Sequence, residues 1–292
     1  MHPGRHTVRP DGVCERDTDR LWALRDLPPF PWIAIKVLQL LTDARADDVE
    51  ICRLVELIRA DASLSSELLR RANSPVYGLR ARIASVQHAV VVLGFDRVKT
   101  LALTVGVGAY LKTALKLELL RRCWRHSLAC AILSEELSRG CLLPVDQAYT
   151  AGLLHDIGRL ALLVKHPQAY AGLLEVIEEN CLPALESERD LFGVDHCEAG
   201  AWLARHWDFP PQLAEVAAQH HLPPADGRMT LIRLVHLACR LADALGFQVF
   251  RSSQSEDPAL IFGELPRRCL YLLDGGPEAL KDRVTTRVNE LE

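Results

Sequence analysis

The chain has 292 residues, of which 49% are apolar and 25% charged, and its formal net charge is -4. This length and balance are typical of a globular protein with one large core or two smaller ones. The slight acidity argues against nucleic-acid binding, which usually needs a basic excess, and the most apolar stretch, residues 101–111, is about half of a membrane span. We therefore expect a soluble cytoplasmic protein that binds neither nucleic acid nor membrane.

The chain opens on a polar segment. Residues 1–20 carry scattered charges and no apolar core, which predicts a disordered tail rather than a signal peptide. The cysteine count is odd, no pair is spaced as C-x-x-C, and most cysteines lie in apolar helical stretches, so we interpret them as reduced thiols that pack as small hydrophobic side chains. The nine cysteines are Cys14, Cys52, Cys123, Cys130, Cys141, Cys181, Cys197, Cys239 and Cys269.

Helices with clear start and stop signals follow one another in the first half of the chain. The segment 73–75 ends in a proline, which disfavours helix before it, and Gly94 is a typical helix stop. Proline at the first turn and Asp or Ser as caps indicate the starts. The predicted starting residues are Pro31, Asp47, Ser85 and Asp96.

The second half continues in the same way. A long helix is predicted over about 115–138 and ends before Gly140, and Pro144 begins the helix that leads to His155. No segment shows the alternating pattern of a β-strand more clearly than the 3.6-residue periodicity of a helix. We therefore predict an all-α fold. Residues 251–292 are more polar and are predicted to form an appendage with a turn at 274–277 and a final helix. Further helices are predicted over about 167–181, 195–207, 210–221 and 229–246.

The positions of the histidines and aspartates indicate what chemistry the protein could perform. Each candidate metal ligand sits on a separate predicted helix, as expected for a site built inside a helical bundle. Imidazole and carboxylate groups together suit a divalent ion such as Fe, Mn, Zn or Ni. Gly158 would let a second backbone approach the site closely, or would let the helix end. The candidates are His126, His155, Asp156, His196, His220, His221 and Asp243.

A family resemblance becomes clear at these residues. The segment 151–158, Ala-Gly-Leu-Leu-His-Asp-Ile-Gly, resembles the core motif of the HD superfamily. Residues 21–250 as a whole resemble the HDOD family, the HD-related output domain of bacterial signalling proteins. Matching segments include 27–31, 72–78 and 89–94.

The resemblance implies an all-helical fold of two lobes, with an N-terminal lobe over 21–114 and an HD-like lobe over 115–250. It also implies a metal centre of one or two ions. Carried over residue by residue, the first ion would be held by His126, His155, Asp156 and Asp243, and the second by His196 with His220 or His221, with Asp156 bridging.

Two positions depart from the related HD-GYP enzymes. Arg159 stands where those enzymes usually have lysine, and residues 222–228 lack the Gly-Tyr-Pro sequence. Both departures argue against cyclic-di-GMP hydrolysis of that kind.

Two functions from different classes therefore remain open. The first is a regulatory protein of bacterial signal transduction, which binds a signalling partner protein and keeps a metal or a nucleotide in the HD pocket. The second is a metal-dependent phosphohydrolase acting on a nucleotide or cyclic dinucleotide, with Asp156 and Arg159 as catalytic residues. Arg125 or Arg159 would hold the phosphate in the enzyme, whereas the simpler interpretation of both arginines is a solvated surface position.

Overall fold

The computed structural model describes residues 22–40, 48–79, 81–112, 114–225, 227–250 and 256–292. Over these residues the fold is helical and contains no strand, which confirms the all-α prediction. The predicted tail at 1–20 and the predicted cap Asp47 lie outside the described part. None of the described helices combines the length and apolar character needed to cross a membrane.

Five α-helices form the first part of the chain. The predicted starts at Pro31 and Ser85 are confirmed, and the Ser85 hydroxyl accepts a hydrogen bond from the His88 amide. The start at Asp96 is wrong by two residues, because Gly94, with a φ of 90°, turns the chain directly into the next helix. The helices are α1 (Trp32–Gln39), α2 (Asp48–Arg59), α3 (Ala62–Ala72), α4 (Val86–Leu93) and α5 (Phe95–Leu111).

Eight α-helices follow in the described residues, and every candidate ligand except Asp243 lies within one of them or next to its end. The predicted end of the long helix at Gly140 is wrong, since the helix runs to Cys141 and is followed by Leu142 in the left-handed region. A Cβ atom at Gly140 would lie 2.5 Å from the Cys269 sulfur, so this glycine permits close packing rather than a stop. The helices are α6 (Glu118–Cys141), α7 (Val145–Leu154), α8 (Ile157–Lys165), α9 (Pro167–Asn180), α10 (Ala184–Phe192), α11 (His196–His206), α12 (Pro211–Gln219) and α13 (Leu231–Ala242).

The C-terminal residues pack against α6 through their last helix. After α14 (Pro258–Gly263), the predicted final helix is present as α15 (Gly276–Leu291). Its apolar face is buried, and the side chain of Glu292 lies 2.6 Å from Arg121 and 2.5 Å from Arg125 of α6. The arginines at the start of α6 are therefore held by the end of the chain.

Two glycines set the helix spacing around the candidate site. A Cβ atom at Gly152 of α7 would lie 2.6 Å from the Cys130 carbonyl oxygen of α6. One at Gly158 of α8 would lie 2.1 Å from the His196 carbonyl oxygen of α11. Since real Cβ atoms do not approach backbone so closely, both positions require glycine. The predicted role of Gly158 in a close backbone approach is thus confirmed.

We expect Gly158→Ala to destabilise the protein by about 2–3 kcal/mol, because the added methyl group must push α8 and α11 apart. Urea unfolding followed by circular dichroism measures the change. Gly172→Ala in α9 is the matched control, since a Cβ atom there meets nothing within 4 Å. The control should gain about 0.5–1 kcal/mol from higher helix propensity. Equal unfolding midpoints for both variants would contradict the proposed helix contact.

Candidate metal centre

The candidate ligands gather where α7 ends. His155 follows the last residue of α7, and Asp156, with φ −97° and ψ 24°, separates α7 from α8. This break directs the two adjacent side chains into the space between α6, α11, α12 and α13. His221 and Asp243 are more exposed, and the half-exposed Asp243 lies in the π-helical turn Asp243–Phe247. The buried members are His126, His155, Asp156, Arg159, His196 and His220.

Three buried atoms at this point have no hydrogen-bond partner: Nε2 of His155, Nε2 of His220 and Oδ1 of Asp156. Nδ1 of His155 donates to the Gly152 carbonyl at 2.7 Å, and Nδ1 of His220 donates to the Ala217 carbonyl at 3.0 Å. Each Nε2 atom therefore carries a lone pair. Ligand atoms of His155, Asp156 and His220 lie within 4.8 Å of one another. Unpartnered, converging donors of this kind fit a divalent metal ion.

Arg159 is part of the same buried group. Its Nε lies 2.9 Å from Oδ2 of Asp156, and its Nη2 lies 3.1 Å from Nε2 of His196. Burial alone would raise the pKa of Asp156, but the Arg159 guanidinium and the three neighbouring histidines together outweigh it and hold that pKa well below its usual range. The interpretation of Arg159 as a solvated surface residue is wrong, because 3% of the residue is exposed. Arg125, in contrast, pairs with Glu292.

His196 is held by Glu188, a residue that the sequence reasoning missed. Oε2 of Glu188 lies 2.6 Å from Nδ1 of His196 and also accepts from the His196 amide, while the Tyr170 hydroxyl donates to Oε1. Burial would raise the pKa of Glu188, but its interactions with His196, and then with Arg159 and Tyr170, lower the pKa to about 2. An ionised Glu188 keeps the proton on Nδ1. Nε2 of His196 is then the acceptor, with Nε2 of His221 at 2.9 Å.

Two cysteines complete the group on the other side of His155. Sγ of Cys239 lies 3.3 Å from Nε2 of His126, and Sγ of Cys130 lies 3.5 Å from the same atom. Oδ1 of Asp243 lies 3.3 Å from Nδ1 of His126, on the opposite edge of the ring. Asp243 thus faces Nδ1, the outer ring nitrogen of His126. Cys239 lies one helical turn before Asp243 and faces Nε2, the inner nitrogen.

A cavity of about 310 Å³ opens beside these residues. Its walls include Asp156, Arg159 and His126 on the inside and Arg240 and Glu256 farther out. A small molecule could therefore reach the carboxylate and the guanidinium from this side.

The family model of the HDOD domain matches residues 27–223. The chain belongs to the HDOD family. The predicted resemblance is confirmed, whereas the lobe boundaries at 114 and 250 stay predictions.

Solved HDOD-type structures share the fold. An HDOD domain protein of unknown function from Geobacter sulfurreducens aligns with a TM-score of 0.74 at 22% identity, over 93% of this chain and 99% of that one. A candidate phosphohydrolase from Shewanella amazonensis SB2B aligns at 0.68 and 22% identity, over 93% and 96%. A candidate signal transduction protein from Marinobacter aquaeolei VT8 aligns at 0.70 and 24% identity, over 94% and 65%. At these identities the likeness establishes the fold.

A relative by sequence is an uncharacterized protein of Treponema pallidum (strain Nichols), which is 27% identical over 203 residues. The match covers 68% of this chain and 39% of that protein. The chain therefore spans well under half the length of this relative.

We expect Glu188→Gln to destabilise the protein by about 1–3 kcal/mol, because the amide cannot compensate the positive charges of the site as the carboxylate does. Thermal and urea unfolding measure the loss. Glu186→Gln, two residues earlier on an exposed position of α10, is the matched control and should stay within about 0.5 kcal/mol of the parent protein. A Glu188 variant as stable as this control would show that His196 does not depend on the carboxylate.

Proposed function

We propose that this HDOD protein is a regulatory component of bacterial signal transduction whose HD-type centre holds a divalent ion without hydrolysing a substrate. The observation that carries the proposal is the position of the Arg159 guanidinium. It contacts both Asp156 and His196, two groups that a second ion would need to share.

The lone pair of His196 is already used. Nε2 of His196 faces Nη2 of Arg159 at 3.1 Å and Nε2 of His221 at 2.9 Å, and Nδ1 is bound to Glu188. A second ion on His196 and His221 would have to compete with the Arg159 guanidinium for Nε2 of His196, and it would add two positive charges next to that buried cation. Like charges buried side by side repel each other strongly. The arrangement therefore supports one ion rather than the bridged pair that the resemblance implies.

The N-terminal helices support a role in binding a partner. Within the described residues, all three groups of His, Cys and Asp side chains that could hold a metal lie between positions 126 and 239. Helices α1 to α5 contribute no member to these groups. A large helical lobe without such groups is suited to contact with a signalling partner protein.

The ion would be held in the space around His155. Candidate ligands on its two sides are Asp156 with His220, and His126 with Cys130 and Cys239. When bound, the ion supplies a cross-link between helices that are distant in sequence, so that its binding free energy contributes to folding.

One observation favours phosphohydrolase activity as the second candidate. The 310 Å³ cavity brings Asp156, Arg159 and Arg240 to one wall, and arginine suits the bidentate binding of phosphate. Asp156 would help to hold the ion, which would polarise a phosphoryl group, and the arginines would bind the phosphate oxygens. The substrate would be a nucleotide or another phosphate ester small enough for this volume.

We expect protein purified without a polyhistidine tag to contain about one divalent ion per chain and to hydrolyse neither nucleotides nor cyclic dinucleotides. Elemental analysis measures the ion, and release of phosphate or nucleotide is followed after loading with Fe, Mn, Zn or Ni. Asp156→Asn serves as the background control. Metal-dependent turnover that this variant abolishes would overturn the regulatory proposal in favour of the enzyme.

Removal of the ion should lower the melting temperature. An ion present at 100 times its dissociation constant stabilises the folded state by about 2.7 kcal/mol. For a chain of this size the loss corresponds to roughly 5–10 °C. Calorimetry before and after treatment with a chelator measures the shift, and addition of the ion should restore the original value. An unchanged melting temperature in protein proven to have lost its metal would contradict the cross-linking role.

A further inference from the structure

The two cysteines beside His126 form a compact group with the two histidines. Ligand atoms of His126, Cys130, His155 and Cys239 lie within 4.8 Å of one another. All four residues are buried, with at most 8% of any of them exposed. His126 and Cys130 lie four residues apart on one face of α6, His155 follows α7, and Cys239 is on α13. Three helices thus meet at four metal-binding side chains.

The imidazoles in this group are oriented as metal ligands. Nδ1 of His126 donates to the Phe247 carbonyl at 3.0 Å, with the Asp243 carboxylate at 3.3 Å. Nδ1 of His155 donates to the Gly152 carbonyl at 2.7 Å. Both Nε2 atoms consequently face the group: that of His126 lies at hydrogen-bond distance from the two sulfurs, and that of His155 is buried without a hydrogen-bond partner. Outer hydrogen bonds of this kind are the usual support of ligating histidines.

The two distances from Nε2 of His126 to the sulfurs match those of a tetrahedral site. With zinc–sulfur bonds of about 2.3 Å and zinc–nitrogen bonds of about 2.0–2.1 Å, tetrahedral geometry places nitrogen and sulfur ligands about 3.5 Å apart. The nitrogen–sulfur distances from His126 are 3.3 Å to Cys239 and 3.5 Å to Cys130.

We propose that His126, Cys130, His155 and Cys239 form a tetrahedral site that binds zinc through two nitrogen and two sulfur atoms. This inference rests on the proposed function, because it assigns the ligands of the ion placed there. Thiolate ligands select zinc over harder ions such as Mn and Mg. Binding deprotonates both thiols, and two thiolates neutralise the charge of Zn²⁺. The buried Asp156–Arg159 ion pair then stays neutral as a pair, because the thiolates compensate the charge of the metal ion.

Asp243 acquires a different role under this assignment. It supports His126 through the outer ring nitrogen instead of binding the ion. Four protein ligands also fill the coordination sphere, as in structural zinc sites. A filled sphere agrees with a protein that signals rather than hydrolyses.

The test uses the full-length chain loaded with Co²⁺ in place of zinc. We expect an intense visible spectrum of tetrahedral cobalt and a sulfur-to-cobalt charge-transfer band in the near ultraviolet. Zinc titration should displace the cobalt at about one equivalent without further proton release. Loading of the metal-free protein should release two protons per ion, one from each thiol, at a pH where both thiols are protonated and both imidazoles are neutral. A cobalt spectrum without the sulfur band would overturn the proposal. Because this measurement uses the parent protein, it does not depend on the folding of any variant.

Variants then assign the individual ligands. Cys130→Ala and Cys239→Ala should each lose the tetrahedral spectrum and weaken zinc binding by more than 100-fold. Asp243→Asn should keep the sulfur band and lose about 10–100-fold in affinity, as is typical of an outer partner. The matched control is Cys123→Ala, a buried cysteine of α6 outside the group, which should bind zinc like the parent protein.

The outcomes separate this inference from the proposed function. Unchanged metal binding in both Cys130→Ala and Cys239→Ala would overturn the ligand assignment and leave a regulatory protein with its ion on Asp156 and His220. Turnover of a phosphate ester by the loaded protein would overturn the regulatory role alone, since the cobalt spectrum is recorded without substrate.

Discussion

The buried carboxylate of Asp156 is the constraint on which the rest of the centre depends. An ionised group removed from water costs several kcal/mol unless opposite charge and hydrogen bonds compensate it. Arg159, one helical turn later, supplies that charge at 2.9 Å and is itself almost fully buried. Its Nη2 also contacts His196, which Glu188 holds from the other side. The contact between Arg159 and His196 thus links α8 to α11, and the Asp156–Arg159 ion pair determines how much positive charge the pocket can accept.

Close helix packing brings these charges together. Backbone contacts at Gly152 and Gly158 draw α7 onto α6 and α8 onto α11. Both glycines flank the His155-Asp156 pair. The distances between the helices therefore also determine the distances between the candidate ligands. Any side chain at either position would separate atoms that must converge within a few ångströms. The apolar packing of the bundle and the chemistry of its centre therefore depend on the same two positions.

Much of this could be predicted from sequence, and the failures have physical causes. Helical periodicity and caps predicted most helices, but Gly140 looked like a stop because its contact with Cys269 is far away in sequence. The histidines and Asp156 were recognisable by residue type. The sequence predicts Cys130 and Cys239 as core residues, since a buried thiol has the same sequence environment whether it packs against leucine or imidazole. The spacing of four between His126 and Cys130 was the signal that could have identified them. Glu188 gave no signal, because its pairing with His196 depends on the approach of α10 to α11.

His155 determines which chemistry the centre can have. Its Nδ1 is committed to the Gly152 carbonyl, so Nε2 offers one lone pair and binds one ion. That atom belongs both to the carboxylate group with Asp156 and His220 and to the thiol group with His126, Cys130 and Cys239. An ion on the carboxylate side adds two positive charges to a pocket in which Asp156 is already neutralised by Arg159. An ion on the thiol side brings its own compensation through two thiolates and leaves the buried pair intact. Because uncompensated buried charge is the more costly alternative, electrostatics favours the thiol side.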